Sequence, residues 1–120
     1  MTDSLWTSYT WRTLTESAEY LGIEVKRLRS LIKDRALLAV KHDDGPLQIP
    51  EPFLCSEAGN VGIPEELKGT VMVLLDGGMS DMSAMQWLLS EDESLGTTPI
   101  KALEQGRKKE VRRIAGALAL

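Results

Sequence analysis

The sequence predicts a mainly α fold with a small β-hairpin. Three observations predict it: two short amphipathic helices joined by a glycine turn, a hairpin pattern directly after them, and helical apolar spacing through the second half of the chain. A helix pair followed by a hairpin is typical of a winged helix-turn-helix, here followed by a helical C-terminal half. We therefore expect a flexible N-terminal arm at 1–12, a winged helix-turn-helix at 13–55 and a helical C-terminal domain at 56–120. The alternative for the arm is that Trp6, Tyr9 and Trp11 dock part of it on the core.

The first helix of the pair begins near Leu14. Leu14, Ala18 and Leu21 recur at helical spacing, so one face is apolar. Thr15 is the expected N-cap, because its hydroxyl can accept from an unpaired backbone N–H. Gly22 is the expected stop.

The second helix is predicted from about Glu24 to Asp34 and is the basic element of the chain. Its apolar positions are Val25, Leu28, Leu31 and Ile32. An α-helix fits the major groove of DNA, where arginine can grip guanine and lysine can neutralise phosphate. Arg29 is the best candidate for a guanine contact. The predicted DNA-binding residues of this helix are Lys26, Arg27, Arg29, Ser30 and Lys33.

The hairpin follows at once. Residues 36–41 are expected to form its first strand, 42–45 its turn and 47–49 its return strand. Lys41 and His42 at the tip are further predicted DNA-binding residues, although the two aspartates in the turn would repel phosphate.

The second half is predicted to contain four helices. They open at Pro64, after Ser80, at Pro99 and at about Lys108, and the last is expected to run to Ala119. Basic residues cluster on this last helix at Lys108, Lys109, Arg112 and Arg113. They form a second phosphate-contacting surface, a partner interface or an ordinary solvated face, and the solvated face is the simpler interpretation.

Charge is unevenly distributed along the chain, although its net value is −4. Residues 24–45 carry +2 and residues 99–120 carry +4, whereas residues 46–98 carry −8. This asymmetry permits local binding to nucleic acid and limits non-specific adhesion elsewhere.

Composition argues against several other classes of protein. The single cysteine, Cys55, excludes an internal disulfide, and one His with one Cys cannot build a zinc site unaided. No apolar run is long enough to span a bilayer. We see no nucleophile with an oriented base and no phosphate-cradling glycine loop. We therefore expect a cytoplasmic, nucleoid-associated protein that is not an enzyme and needs no metal or cofactor.

Several motifs resemble known DNA-binding families. The segment Leu14-Thr-Glu-Ser-Ala-Glu-Tyr-Leu-Gly-Ile, the basic helix, and Leu38-Ala-Val with Ile49-Pro50 resemble excisionase and MerR-like winged helices. Arg35 departs from that pattern, because many relatives carry Gly between the second helix and the first strand. The departure affects the geometry expected for the turn before the wing.

A longer likeness extends from Leu14 to Leu118. The chain resembles the actinobacterial winged-helix DNA-binding proteins known as substrates of a Ser/Thr protein kinase. This resemblance implies DNA binding regulated by phosphorylation of the N-terminal arm, with a kinase as partner, but assigns the modified residue to none of Thr2, Thr7 and Thr10. The motifs that carry it are Phe53-Leu54, Leu74-Leu-Asp-Gly-Gly, Met85-Gln-Trp-Leu, Pro99-Ile-Lys-Ala-Leu and Glu110-Val-Arg-Arg-Ile-Ala.

Two functions follow as hypotheses. The first is a transcriptional regulator that reads double-stranded DNA with its second helix and wing, and a homodimer on a palindromic site is one form that it can take. The second is an antitoxin-like interaction protein, because Trp87-Leu, Leu95-Gly96, Pro99-Ile and Gly106 are similar to the toxin-binding domain of some antitoxins.

Overall fold

Seven α-helices and a three-stranded antiparallel sheet make up residues 2–118, which are the residues that the computed structural model describes. The predicted fold class is confirmed. In chain order the elements are α1 (Thr2–Ser8), β1 (Trp11–Thr13), α2 (Leu14–Leu21), α3 (Val25–Lys33), β2 (Val40–Lys41), β3 (Leu47–Pro50), a 3₁₀ turn (Glu51–Phe53), α4 (Leu67–Asp76), α5 (Asp81–Leu89), α6 (Pro99–Glu104) and α7 (Lys108–Ala117).

The N-terminal segment differs from the flexible arm expected at 1–12. It forms α1 and β1, and β1 pairs with β3, so the predicted two-stranded hairpin becomes a sheet of order β1-β3-β2. Leu5 is buried, the Trp11 indole N–H donates to the Leu5 carbonyl at 3.3 Å, and the rings of Trp6 and Trp11 lie 4.0 Å apart. The packing of Leu5, Trp6 and Trp11 orders this segment, although its Ser- and Thr-rich composition predicts flexibility. Met1 lies outside the described residues.

The N-cap of helix α2 lies two residues before the predicted one. Thr13, not Thr15, is the N-cap: its hydroxyl accepts from the Glu16 N–H at 3.2 Å. The Glu16 carboxylate accepts from the Thr13 N–H at 2.8 Å, which completes a capping box. Gly22 ends the helix at φ 74°, as expected.

The segment after α3 forms less strand than predicted. Of residues 36–41, only Val40 and Lys41 pair with β3. Leu37 and Leu38 are both fully buried, which the alternating faces of a half-exposed strand do not allow. The chain therefore crosses the core in an irregular conformation before it joins the sheet.

Arg35 adopts a backbone conformation that glycine favours, at the position where the resemblance leads us to expect glycine. Its φ is +62°, in the left-handed region. The Ala36 N–H donates to the Leu31 carbonyl at 2.9 Å and the Arg35 N–H to the Ile32 carbonyl at 3.0 Å, so α3 ends in a Schellman motif. The guanidinium contacts both carboxylate oxygens of Asp81, at 3.1 and 3.3 Å. The departure from glycine thus leaves the turn geometry intact.

The C-terminal half packs on the sheet through α5, which contacts α1 and β2. The Tyr9 hydroxyl donates to the Leu89 carbonyl at 2.7 Å and ties the two halves together. Helix α4 begins at Leu67, later than the predicted start at Pro64, because residues 65 and 66 form a turn. Helix α7 ends at Ala117, and the predicted end at Ala119 lies outside the described residues.

No helix within residues 2–118 is both long enough and apolar enough to cross a membrane.

Candidate nucleic-acid interface

Helix α3 has one buried side and one basic side. Leu28 is fully buried, as predicted. Residues two positions from it lie about 160° away around the helix, so Lys26 and Ser30 point away from the core. Residues one position away lie about 100° from it, which places Arg27 and Arg29 on the two flanks. All four of these residues are exposed, and so is Lys33 on the same outer face.

The cations of this surface are available for a ligand. Within residues 2–118, no carboxylate pairs with the basic residues predicted to bind DNA on α3 and β2. Other basic residues of this half are occupied: Arg12 pairs with Glu51 at 3.1 Å, and Arg35 pairs with Asp81. The unpaired set is Lys26, Arg27, Arg29, Lys33 and Lys41.

A groove of about 350 Å³ joins α3 to the wing, by which we mean residues 40–50. Arg29 and Lys41 both line it, although they are twelve positions apart in the sequence. The first turn of α2 forms its remaining wall. The structure thus brings together one predicted residue from the basic helix and one from the hairpin.

His42 at the wing tip is placed differently from Lys41. Its imidazole stacks on the Trp6 ring, with 4.5 Å between centroids and 13° between planes. Its Nε2 also lies 3.8 Å from the Asp43 carboxylate. The side chain therefore fastens the wing tip to α1, and its predicted contact with DNA stays a prediction.

Comparisons with known proteins cover both halves of the chain. Residues 1–54 match the family model described as the wHTH domain of DNA-binding protein Rv2175c, and residues 65–119 match the Rv2175c C-terminal domain of unknown function. The chain is 31% identical to DNA-binding protein Rv2175c of Mycobacterium tuberculosis over 118 residues, which cover 88% of this chain and 78% of that protein. The chain belongs to the Rv2175c family.

A solved structure agrees with this membership. The NMR structure of Rv2175c matches this fold with a TM-score of 0.77 at 28% identity, covering 93% of this chain and 82% of that one. The predicted resemblance to a family of winged-helix DNA-binding proteins is therefore confirmed. Kinase regulation and the excisionase or MerR likeness stay predictions.

The second basic cluster of this Rv2175c family member is partly used inside the protein. Lys108 and Arg112 both reach one carboxylate oxygen of Glu66, at 3.4 and 3.3 Å. Arg112 also donates to the Thr70 hydroxyl at 3.4 Å and to the Glu66 carbonyl at 3.2 Å. A Cβ on residue 69 would overlap with the Arg112 guanidinium, so the guanidinium can lie against α4 only because Gly69 has no side chain. These contacts hold α7 on α4.

The first turn of α2 is the part of the candidate interface that the sequence analysis did not predict. Thr13, Leu14 and Thr15 line the groove beside Arg29, yet none was a predicted site residue. The signal was present in the sequence: Thr13 and Glu16 have the spacing of a capping box, which marks a helix start.

Among residues 2–118, no group of three or more His, Cys, Asp or Glu side chains is arranged to hold a metal ion.

Proposed function

We propose that this chain binds double-stranded DNA, with α3 entering the major groove and the wing lying along the sugar-phosphate backbone. The observation that carries the proposal is the outer face of α3, where exposed cations have no carboxylate partner within residues 2–118. Desolvating an unpaired cation against phosphate costs less than first breaking an internal ion pair. Membership of the Rv2175c family, whose Mycobacterium tuberculosis member is named a DNA-binding protein, supports the same conclusion.

Salt dependence and a pair of double variants test this proposal. Four or five contacts to DNA per chain correspond to a slope of log K against log salt of roughly −3 to −5. Lys26→Ala with Lys33→Ala removes two cations from the outer face of α3, and we expect duplex affinity to fall about tenfold or more. The matched control is Lys109→Ala with Arg113→Ala, which removes two exposed cations from α7. Fluorescence anisotropy with a labelled duplex measures both.

The control also states how the proposal can fail. Equal losses of affinity in the two double variants would mean that DNA binding depends only on the net charge of the protein. A larger loss in the α7 variant would move the interface to the C-terminal half. A slope near zero for the unchanged protein would contradict a phosphate-contacting surface altogether.

The finer role that we propose is transcriptional regulation by a homodimer, with phosphorylation in the N-terminal segment as a control. One module of this size reaches few base pairs, and a dimer on a palindrome doubles the recognised length. A phosphate on α1 would place negative charge beside the wing, because Trp6 of this helix stacks on His42. Selection from a random duplex pool, light scattering of the complex and mass spectrometry of the native protein test these three points. A missing consensus sequence would contradict sequence-specific regulation, a 1:1 complex would contradict the homodimer, and an unmodified chain would contradict phosphorylation.

A further inference from the structure

Arg29 is the α3 residue that the sequence favours for reading guanine, but the structure turns it toward the wing. It lies one position from the buried Leu28, about 100° around the helix, and not opposite the core as Lys26 and Ser30 do. Lys41 and Leu47 of the wing line the same groove. With α3 docked in the major groove as proposed, a side chain on this flank would face the edge of the groove, where the phosphates run.

The groove itself suits an anion. Arg29 and Lys41 line it from two different elements, and the apolar residues Leu14, Pro46 and Leu47 line it as well. None of its lining residues within 2–118 is acidic. Glu16 is close in sequence, but its carboxylate is turned back onto the Thr13 N–H at 2.8 Å. Two cations beside apolar lining residues match a phosphodiester with its attached deoxyribose.

We propose that Arg29 and Lys41 together clamp a backbone phosphate of duplex DNA, and that base recognition by α3 belongs to Lys26, Ser30 and Lys33. This inference rests on the proposed function and divides its surface into a positioning part and a reading part. The division explains why the two cations come from different elements: a clamp anchored on both α3 and the wing sets the angle at which the helix enters the groove.

The test uses the full chain and two duplexes of equal length, one selected from a random pool and one with the selected bases scrambled. Arg29→Ala, Arg29→Lys, Lys41→Ala and Ser30→Ala are titrated against both duplexes over a series of salt concentrations. Circular dichroism establishes that each variant is folded, which we expect because all three positions are exposed.

A phosphate clamp predicts a specific pattern. Arg29→Ala and Lys41→Ala should each weaken both duplexes by the same factor and reduce the salt slope by about one. Arg29→Lys should restore binding to both, since a point charge suffices for phosphate, whereas guanine needs the two-pronged guanidinium. Ser30→Ala should reduce the ratio between the duplexes and leave the slope unchanged.

Two results would overturn the clamp while the proposed function stands. One is Arg29→Ala weakening only the selected duplex with no rescue by lysine, which would make Arg29 a base reader. The other is an unchanged salt slope in both alanine variants. If the unchanged protein binds neither duplex, the proposed function fails and the clamp fails with it.

Discussion

Helices α3 and α7 each carry four basic residues but differ in how many of them form ion pairs inside the protein. On α3, the cations of the outer face have no carboxylate partner within residues 2–118. On α7, Lys108 and Arg112 share the carboxylate of Glu66, and Arg112 lies over Gly69 of the neighbouring helix. Basic composition alone therefore does not identify a nucleic-acid surface. The position of the acidic partners is what distinguishes the two helices.

The cause of the difference is what each helix packs against. Helix α7 lies on α4, and Glu66 at the start of α4 faces it. Helix α3 packs on α2 and buries Leu28, while Lys26, Ser30 and Lys33 on its outer face are exposed. An ion pair within the protein holds two helices together, whereas an unpaired cation remains available to a phosphate.

The largest effect is expected on the buried side of α3. Leu28→Ala should lower the free energy of unfolding by about 2–5 kcal/mol, because a fully buried side chain is lost and a cavity remains. Thermal melts followed by circular dichroism measure this. Ser30→Ala on the opposite side is the control and should change stability by about 0.5 kcal/mol or less. Equal melting temperatures for the two variants would contradict the orientation of α3.

A smaller effect is expected where α7 meets α4. Arg112→Ala should cost about 1–2 kcal/mol of stability, because half-buried, charge-assisted contacts to Glu66 and Thr70 are lost. Affinity for duplex DNA should stay the same in the folded variant. Arg113→Ala is the matched control: it removes an exposed arginine of the same helix and should leave the melting temperature unchanged. Loss of DNA binding in Arg112→Ala without loss of stability would reverse the roles assigned to α3 and α7.

The smallest effect is a dependence of stability on acid. The backbone N–H of Thr13 donates to Glu16 and holds the pKa of that carboxyl below its usual value of 4.5. A hydrogen bond from Arg107 lowers the pKa of Glu110 in the same direction. Both groups therefore stabilise the fold when ionised, and this contribution is present above pH 4.5 and lost as the pH falls below it.

Melts of Glu16→Gln and Glu110→Gln at neutral pH and at about pH 3 measure these contributions. Each variant should be less stable than the unchanged protein at neutral pH, and the difference should shrink in acid. A difference that is constant with pH would mean that neither carboxylate acts through its charge.

Much of the fold was predictable because its signals are local. The apolar spacing of α3, the left-handed Gly22 after α2 and the turn before β3 all act within a few residues. The N-terminal segment was not predictable in this way. Its helix and strand depend on pairing with β3, some forty residues away, and on the packing of Leu5 and Trp6.

The candidate DNA-binding surface shows the same contrast between local signals and long-range packing. The sequence by itself determined that α3 has an apolar side at Leu28 and a basic side opposite, because side chains repeat along a helix with a period that neighbouring residues alone define. Only the tertiary structure decided which cations remain unpaired. Glu66 and Arg112 are 46 positions apart, and Arg29 meets Lys41 across a groove whose far wall begins at Thr13. Electrostatic attraction depends on distance in space, and the packing of α4 on α7 and of the wing beside α3 sets that distance.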